Sequence, residues 1–294
     1  MSSEHPSGMT RRNVIYGAAT GMAAVAAASI ASTAHAAQPE AQEAKQGQSN
    51  ELAGKRVLVT GASRGIGAGI ALAMADKGAD VVITFLNSPD KAAAVVRAIE
   101  AKGRRALAIK ADSADPAAVR RSVEQAVDKL GGLDVLVNNV GIARSGPLAD
   151  MSLVDIDAVL NINTRAAALA AQAAIPHLKK GGRIITVGSC LAERVPYPNL
   201  TIYSMSKSAL LAFTRGLARE LGPQAITVNL VQPGPIDTDQ NPADGDWSEP
   251  NRRLTSLNRY GKPSDIAAAV AFLASPAADF MTGSVVTVDA GFNA

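Results

Sequence analysis

From Lys55 to the C-terminus the chain alternates between two periodicities, and this alternation constrains the fold more than any other feature of its 294 residues. Short apolar, β-branched runs read as strands: "RVLVT" (56–60), "DVVITFL" (80–86), "RALAIK" (105–110), "LDVLVNN" (133–139), "GRIITVGS" (182–189), "AITVNLVQP" (225–233) and "SVVTVDAG" (284–291). Between them lie segments with apolar residues at helical spacing. "SPDKAAAVVRAIEAKG" (88–103) carries a Ser cap, a Pro in its first turn and a closing Gly, and "DPAAVRRSVEQAVDKLGG" (115–132) is built in the same way. Further helices are read over 65–78, 153–179, 202–222 and 264–275. Strands nearly continuous in apolar residues, each followed by a helix, predict a parallel sheet covered on both faces. The expected fold is α/β, a doubly wound parallel sheet of the Rossmann type, as a single domain over 51–294.

"TGASRGIG" (60–67) leaves the first strand and opens the first helix. Gly61 permits a tight turn, and Gly65 and Gly67 let the backbone approach a pyrophosphate seated on the helix N-terminus. The spacing is G-x-x-x-G-x-G, and its competitor is a Gly-rich strand-to-helix turn in a flavodoxin-like domain. The end of the second strand decides the cofactor. An acidic residue there would bind ribose hydroxyls and repel a 2′-phosphate, but the chain has Asn87 and Ser88. Arg64 in the loop can pair with a phosphate, so NADP(H) is preferred over NAD(H). Asp90 is assigned to the first turn of the following helix.

Composition removes several function classes. A formal charge of +3, with only 3% aromatic residues and no dense Lys/Arg block, gives no nucleic-acid signal. Cys190 is the sole cysteine, which leaves no disulfide framework and no Cys-based zinc site. The histidines are His5, His35 and His177; the first two precede the domain, and His177 reads as the end of a helix. No metal site is expected.

In "YSMSK", Tyr203 and Lys207 stand at i and i+4, on one face of a helix. Among the tyrosines, Tyr203 alone has a lysine four residues later. An ordinary tyrosine, with a pKa of about 10, exchanges protons poorly at neutral pH. A nearby ammonium and an oxidised nicotinamide would lower it by favouring phenolate. Tyr203 could then protonate a carbonyl oxygen as hydride arrives, or act in reverse, while Ser189 at the end of the fifth strand holds the same oxygen.

Taken together, "TGASRGIG", "NNVG" (138–141), Ser189, "YSMSK" and "QPGPIDTD" (232–239) stand in the order and spacing of short-chain dehydrogenases/reductases, and the resemblance covers essentially all of 51–294. The chain is most similar to the branch with 3-oxoacyl-[acyl-carrier-protein] reductases and related carbonyl reductases. The resemblance implies a catalytic tetrad. Asn163 would hold a proton-relaying water, with Asn161 its neighbouring competitor; Ser189 would position substrate; Tyr203 would be the general acid/base; and Lys207 would bind the nicotinamide ribose and tune Tyr203. It assigns Gly61, Ser63, Arg64, Gly65, Ile66 and Gly67 to the phosphate loop, with Asn87 and Ser88 beside the adenosine ribose. Asp112 and Ser113 fall at the adenine, Asn139 and Gly141 at the adjacent ribose region, and Pro233, Gly234, Ile236 and Thr238 around the nicotinamide. Val140 departs from the family's usual alanine and adds bulk near the cofactor, and the Ser189–Tyr203 interval is one residue longer than usual, so "CLAERVPYPNLTI" must bulge. The family also implies a homotetramer or homodimer, with the Ala-rich helices 155–179 and 202–221 as candidate contacts.

The substrate is read as a small carbonyl or alcohol. Residues 237–258, rich in Pro, Gly, Asn and Asp, suit a mobile lid in which Trp247 caps an apolar substrate or anchors the loop. Arg252 and Arg253 could meet an anionic carrier or be simply solvated. Rival readings are a 3-oxoacyl-thioester reductase specifically, an enoyl reductase, which calls for Tyr-x₆-Lys where Tyr197 has Ser204, and a cofactor-binding sensor without turnover. Ahead of the domain, Arg11-Arg12 precede an uncharged stretch from Val14 to Ala34 and a small-x-small site at Ala34-His35-Ala36. This resembles a twin-arginine signal peptide over 1–36, followed by a polar linker over 37–50, and implies a periplasmic enzyme with no membrane span in its mature chain. The alternative is a cytoplasmic protein with a disordered Ala-rich tail.

Overall fold

The computed structural model describes residues 50–294. The leader and nearly all of the linker read from the sequence lie outside the described residues. Seven strands form one parallel sheet: β1 (Arg56–Val59), β2 (Asp80–Phe85), β3 (Ala106–Lys110), β4 (Val135–Asn138), β5 (Arg183–Val187), β6 (Thr227–Pro233) and β7 (Val285–Val288). Their order is β3-β2-β1-β4-β5-β6-β7. The chain winds outward through β1, β2 and β3, then returns to lay β4 beside β1, so the order reverses between those two. In a sheet of this kind the connections that leave the two strands flanking the reversal part toward opposite faces, and a crevice opens between them at the carboxyl ends.

Alternation along each strand divides the core into two layers. Val57, Val59, Val81, Ile83, Val135 and Val137 pack toward α1 (Gly65–Asp76) and α2 (Pro89–Glu100), with Ile70, Met74 and Ile99. Leu58, Val82, Leu136, Ile184 and Val228 point to the other face, where α3 (Pro116–Leu130) contributes Val119 and Val123. Each fully buried Leu or Ile contributes about 1.5–3 kcal/mol of burial free energy, so the period-two pattern fixes which face every strand residue must take.

Charges inside the sheet gather at its amino-terminal edge. Arg56, the first residue of β1, donates from Nε and Nη2 to the two Asp134 carboxylate oxygens, at 2.7 and 3.0 Å. Asp80, the first residue of β2, accepts from Arg104 and Arg105 at 2.7 and 2.8 Å. Burial alone would raise the Asp134 carboxyl, but the Arg56 hydrogen bonds hold it below the usual carboxylate range.

Two expectations change. The single helix expected over 153–179 is α4 (Leu153–Leu160), a π-helical turn at Asn161–Arg165, α5 (Ala166–Ala174) and a short 3₁₀ turn ending at His177. The wide turn arises because the Ala166 N–H bonds to the Asn161 carbonyl, five residues back. After α6 (Thr201–Leu221), the expected lid contains a helix of its own, α7 (Ser248–Leu254), closed on the body before α8 (Pro263–Ala274). Among the described residues no helix is long and apolar enough to cross a membrane.

Ala225 links α6 to β6 with φ +55° and an exposed side chain. A β-carbon in that left-handed conformation costs roughly 1–2 kcal/mol, and the extra unfolded-state freedom of glycine offsets only part of it. Ala225→Gly should therefore stabilise the chain by about 0.5–1 kcal/mol and raise Tm by roughly 2 °C. A lower Tm in a thermal melt would contradict the strain.

Candidate active site

The loop between β1 and α1 is held so tightly that its glycines have no substitute. Gly61 has φ +64°, and an added Cβ would lie 2.6 Å from Val140 Cγ2. At Gly67 it would lie 2.5 Å from Asn139 Nδ2 and 2.7 Å from the Gly61 carbonyl oxygen. The Gly61 N–H donates to Thr84 Oγ1 at 2.9 Å, and Asn139 Nδ2 donates to the carbonyls of Thr60 and Gly61, at 2.9 and 3.2 Å. Asn139 thus clamps the loop, and the bulk of Val140 rests against Gly61. Gly65, with φ +57°, turns its open side to Thr238, whose methyl would lie 3.4 Å from a Cβ there. Arg64 stands in extended backbone at the start of α1 and caps nothing. Ser63 is half-buried beside it, and the Ile66 side chain packs into the core.

On the adenosine side, Asn87 is exposed and Ser88 enters α2 without capping it. Asp112 folds back to accept from the Ala114 N–H at 2.8 Å. Ser113 lines a small internal cavity with Thr60, Thr84 and Asn163. On the other side, Pro233 ends β6, and Gly234 leaves no room for a Cβ, which would meet Asp289 Cα at 2.5 Å. Ile236 is buried and bridges to Gly261. The predicted cofactor residues therefore lie after the carboxyl ends of β1, β2, β3, β4 and β6, with the Ile66 side chain turned into the core.

The four candidate catalytic residues converge at the same end of the sheet. Lys207 is buried one turn after Tyr203 on α6; its Nζ is 3.2 Å from the Val187 carbonyl and 6.0 Å from the Tyr203 ring centroid. Burial lowers its pKa from 10.5 to about 8. Gly141 admits this arrangement, since a Cβ there would lie 3.0 Å from Lys207 Nζ. Asn163 is buried in the π turn. Its Oδ1 accepts from the Ile142 N–H at 2.8 Å, and its Nδ2 donates to the Ile142 carbonyl and Ser206 Oγ, both at 2.9 Å. Its side chain ties the loop after β4 to α6, while Asn161 makes the five-residue backbone bond of the turn.

Tyr203 departs from expectation. Burial pushes its phenol above the ordinary range, and a hydrogen bond to Ser189 works in the opposite direction. Lys207 faces the ring, and the protein's own groups do not give Tyr203 the lowered pKa expected from an adjacent ammonium. Ser189 Oγ also accepts from the Leu191 N–H at 3.1 Å, which fixes the strand end. Burial drives the neighbouring Cys190 thiol up to about 12, leaving it a poor nucleophile.

The lengthened loop between β5 and α6 turns at Asn199, φ +69°. It brings Tyr197 edge-on to Trp247, with ring centroids 5.6 Å apart. The Tyr197 hydroxyl is buried without a hydrogen-bond partner. Arg252 and Arg253 both pair with Glu249 on α7, and Arg252 also donates to the Ala243 carbonyl at 2.8 Å. The sequence reading misses Thr60, Thr84 and Ser206, which carry the hydrogen bonds that hold loop and tetrad; the signal for the first two is a hydroxyl near the carboxyl end of an apolar strand. Among the described residues no three His, Cys, Asp or Glu side chains gather as a metal site.

The profile of a family described as enoyl-(acyl carrier protein) reductase matches residues 61–293. A short-chain dehydrogenase from Burkholderia cenocepacia, solved in complex with NADP, superposes with a TM-score of 0.82 at 55% identity, covering 83% of this chain and all of that one. A versicolorin reductase of Emericella nidulans is 41% identical over 82% of this chain and 96% of its own length. A cyclic-di-GMP-binding biofilm dispersal mediator protein of Escherichia coli is 42% identical over 82% and 98%. A family match over 61–293, with relatives more than 40% identical along nearly their whole length, shows that the chain belongs to the short-chain dehydrogenase/reductase family.

Proposed function

We propose that the protein is an NADP(H)-dependent oxidoreductase that interconverts a carbonyl and a secondary alcohol, with Tyr203 as general acid/base. The observation that carries the reading is the convergence of Tyr203, Ser189 and the buried Lys207 beside a loop with no space for a single extra β-carbon at Gly61 or Gly67. That cradle fits a pyrophosphate, and the absence of an acidic residue at Asn87 and Ser88 fits a 2′-phosphate. NADP(H), when bound, supplies or accepts the hydride. In reduction, Ser189 orients the substrate carbonyl by a hydrogen bond and Tyr203 delivers its proton to the oxygen. Lys207, cationic below about pH 8, supports the phenolate left behind and offers its ammonium to a ribose hydroxyl. Asn163, its amide committed to Ile142 and Ser206, acts as a positioning residue.

The substrate class best served is a flat, ring-bearing ketone. The Tyr197–Trp247 pair gives an aromatic wall. A relative named as a versicolorin reductase supports this class. Arg252 and Arg253 pair with Glu249 only through exposed contacts, which leaves the thioester reading as the second one. The enoyl reading lacks a lysine seven residues after Tyr197.

Tyr203→Phe should lower kcat by about 10²–10⁴-fold against a panel of aryl ketones while leaving NADPH affinity unchanged. Turnover equal to the parent would reject the mechanism, and a parent that binds NADPH without reducing any ketone would favour the sensor. Lys207 adds a pH signature. Its folded value near 8 lies below its ordinary 10.5, so between these values the unfolded chain binds more protons and stability rises with pH. The cost of the buried charge is therefore fully present below pH 8. Lys207→Met should raise Tm at pH 7, with the gain shrinking by pH 10; a gain independent of pH would show that the ammonium is not the cause.

The Arg11-Arg12 leader is proposed as a twin-arginine export signal, and the exposed faces of α5 and α6 as the contact of a homodimer or homotetramer. Lys-Lys in place of Arg11-Arg12 should keep the protein in the cytoplasm of its host; fractionation showing an unchanged compartment defeats the export proposal. A light-scattering mass of one chain would reject the oligomer.

A further inference from the structure

One peptide plane beside Ser189 is gripped at both of its edges. Its N–H, that of Leu191, donates to Ser189 Oγ at 3.1 Å. Its carbonyl, that of Cys190, accepts from Asn293 Nδ2 at 2.8 Å. The N–H groups of Glu193 and Arg194, just after the 3₁₀ turn Cys190–Ala192, reach the same carbonyl at 3.3 and 3.4 Å. Asn293 therefore makes the shortest bond to this carbonyl, and it comes from a distant part of the chain, the segment that follows β7. A peptide unit is planar and trans, so its N–H and C=O point in opposite directions and fixing one aims the other.

Asn293 is itself anchored. Asp289, nearly buried, accepts from the Gly291 N–H at 2.9 Å and from the Asn293 N–H at 3.0 Å. Between them Phe292 is buried, and its carbonyl accepts from Arg194 Nη1 at 2.6 Å. A carbonyl only accepts, so the Asn293 amide must turn its NH₂ toward Cys190. Its own oxygen is then buried without a partner. Such an acceptor costs stability, and a position that carries the cost calls for a function. The function is legible at the other edge of the plane. A serine hydroxyl has two lone pairs and one proton, and the Leu191 N–H occupies a lone pair of Ser189 while leaving the proton to be donated.

We propose that Asn293 is a positioning residue for carbonyl reduction: through the Cys190–Leu191 peptide it holds Ser189 Oγ where the hydroxyl donates to the substrate oxygen. The proposal rests on Ser189 as the group that orients the substrate carbonyl. Asn293 acts in two ways. It fixes the direction of the Leu191 N–H, and by donating to the carbonyl it polarises the peptide, which makes that N–H a stronger donor. The Ser189 bond to substrate strengthens as negative charge develops on the oxygen in the transition state, so a displaced Ser189 lowers kcat more than it raises the ketone KM. The glycine loop follows β1, far along the chain from this peptide, and NADPH affinity does not depend on the Asn293 bond.

The full-length protein is assayed with NADPH and an aryl ketone that it reduces. Asn293→Ala should lower kcat about three- to tenfold, the loss of one neutral hydrogen bond. Asn293→Asp keeps the shape but sets an acceptor against the Cys190 carbonyl, and should lower kcat at least as much. Both variants should keep the parent's NADPH affinity, which certifies that they are folded. Asn293→Ala should also keep its Tm, because it removes the unpartnered oxygen together with the donor. The deciding measurement is a double-mutant cycle: in a Ser189→Ala background, Asn293→Ala should have no further effect, since the group it positions is gone. Losses that multiply in the double variant would overturn the proposal, as would an Asn293→Asp variant as active as the parent or a fall in NADPH affinity that matches the fall in kcat. Ser189→Ala turning over as fast as the parent would instead remove the role of Ser189, and the proposal with it.

Discussion

The contact between the carboxyl ends of β1 and β4 is the constraint on which the site depends. The loops that leave two such strands part toward opposite faces of the sheet, and the gap between them is closed at its base by Asn139, whose amide holds the Thr60 and Gly61 carbonyls. With Gly67 packed against that amide and Gly61 against Val140, the loop has one available path. The N-terminus of α1 is thereby aimed into the crevice, and its free N–H groups are what an anion meets there. Loosening this junction by one methyl group would move the helix, the loop and Arg64 together.

Charge is distributed in a way that protects this end. The paired carboxylates Asp80 and Asp134 lie at the amino edge of the sheet, each satisfied by arginine. At the carboxyl edge the protein buries one cation, Lys207, and gives it a single carbonyl partner at Val187. A buried ammonium with so little compensation is costly for stability. Its value lies in the chemistry: a poised charge facing the Tyr203 ring, able to respond when a phenolate forms beside it. Local stability is lowered where reactivity is needed and restored at the opposite edge.

Most of the fold was legible because each element satisfies two requirements at once. The strand residues that alternate between Val57 and Leu58 match both a pleat and a two-layer core, and Pro116 with Gly131 marks both ends of α3. Tyr203, Lys207 and the glycines were legible because their spacing carries the geometry directly. What escaped depends on contacts between distant segments. Nothing local in "NINTR" marks a π turn, which is stabilised by Asn163 reaching Ile142 and Ser206. α7 reads as loop because its seven residues include a proline and form a helix braced by Glu249 and by Arg252 on the Ala243 carbonyl. The upward shift of Tyr203 in the protein alone was not legible either: an i, i+4 spacing places Lys207 near the ring but does not encode burial, which raises the phenol.

The lid is fastened to the body by contacts of unequal strength, and the inequality defines which of them yield first. Just beyond the lid, Tyr260 is buried; its hydroxyl donates to Asn241 Oδ1 at 3.2 Å, near the start of the lid, and accepts from Asn251 Nδ2 at 2.9 Å on α7, so it ties both to the body. At the start of the lid, Asp239 is held only by exposed ion pairs. Breaking the buried hydrogen bonds would strand polar groups away from water, whereas the exposed pairs give way to solvent at small cost. The exposed pairs at Asp239 therefore yield before the Tyr260 cluster, which serves as the fixed support for both the start of the lid and α7.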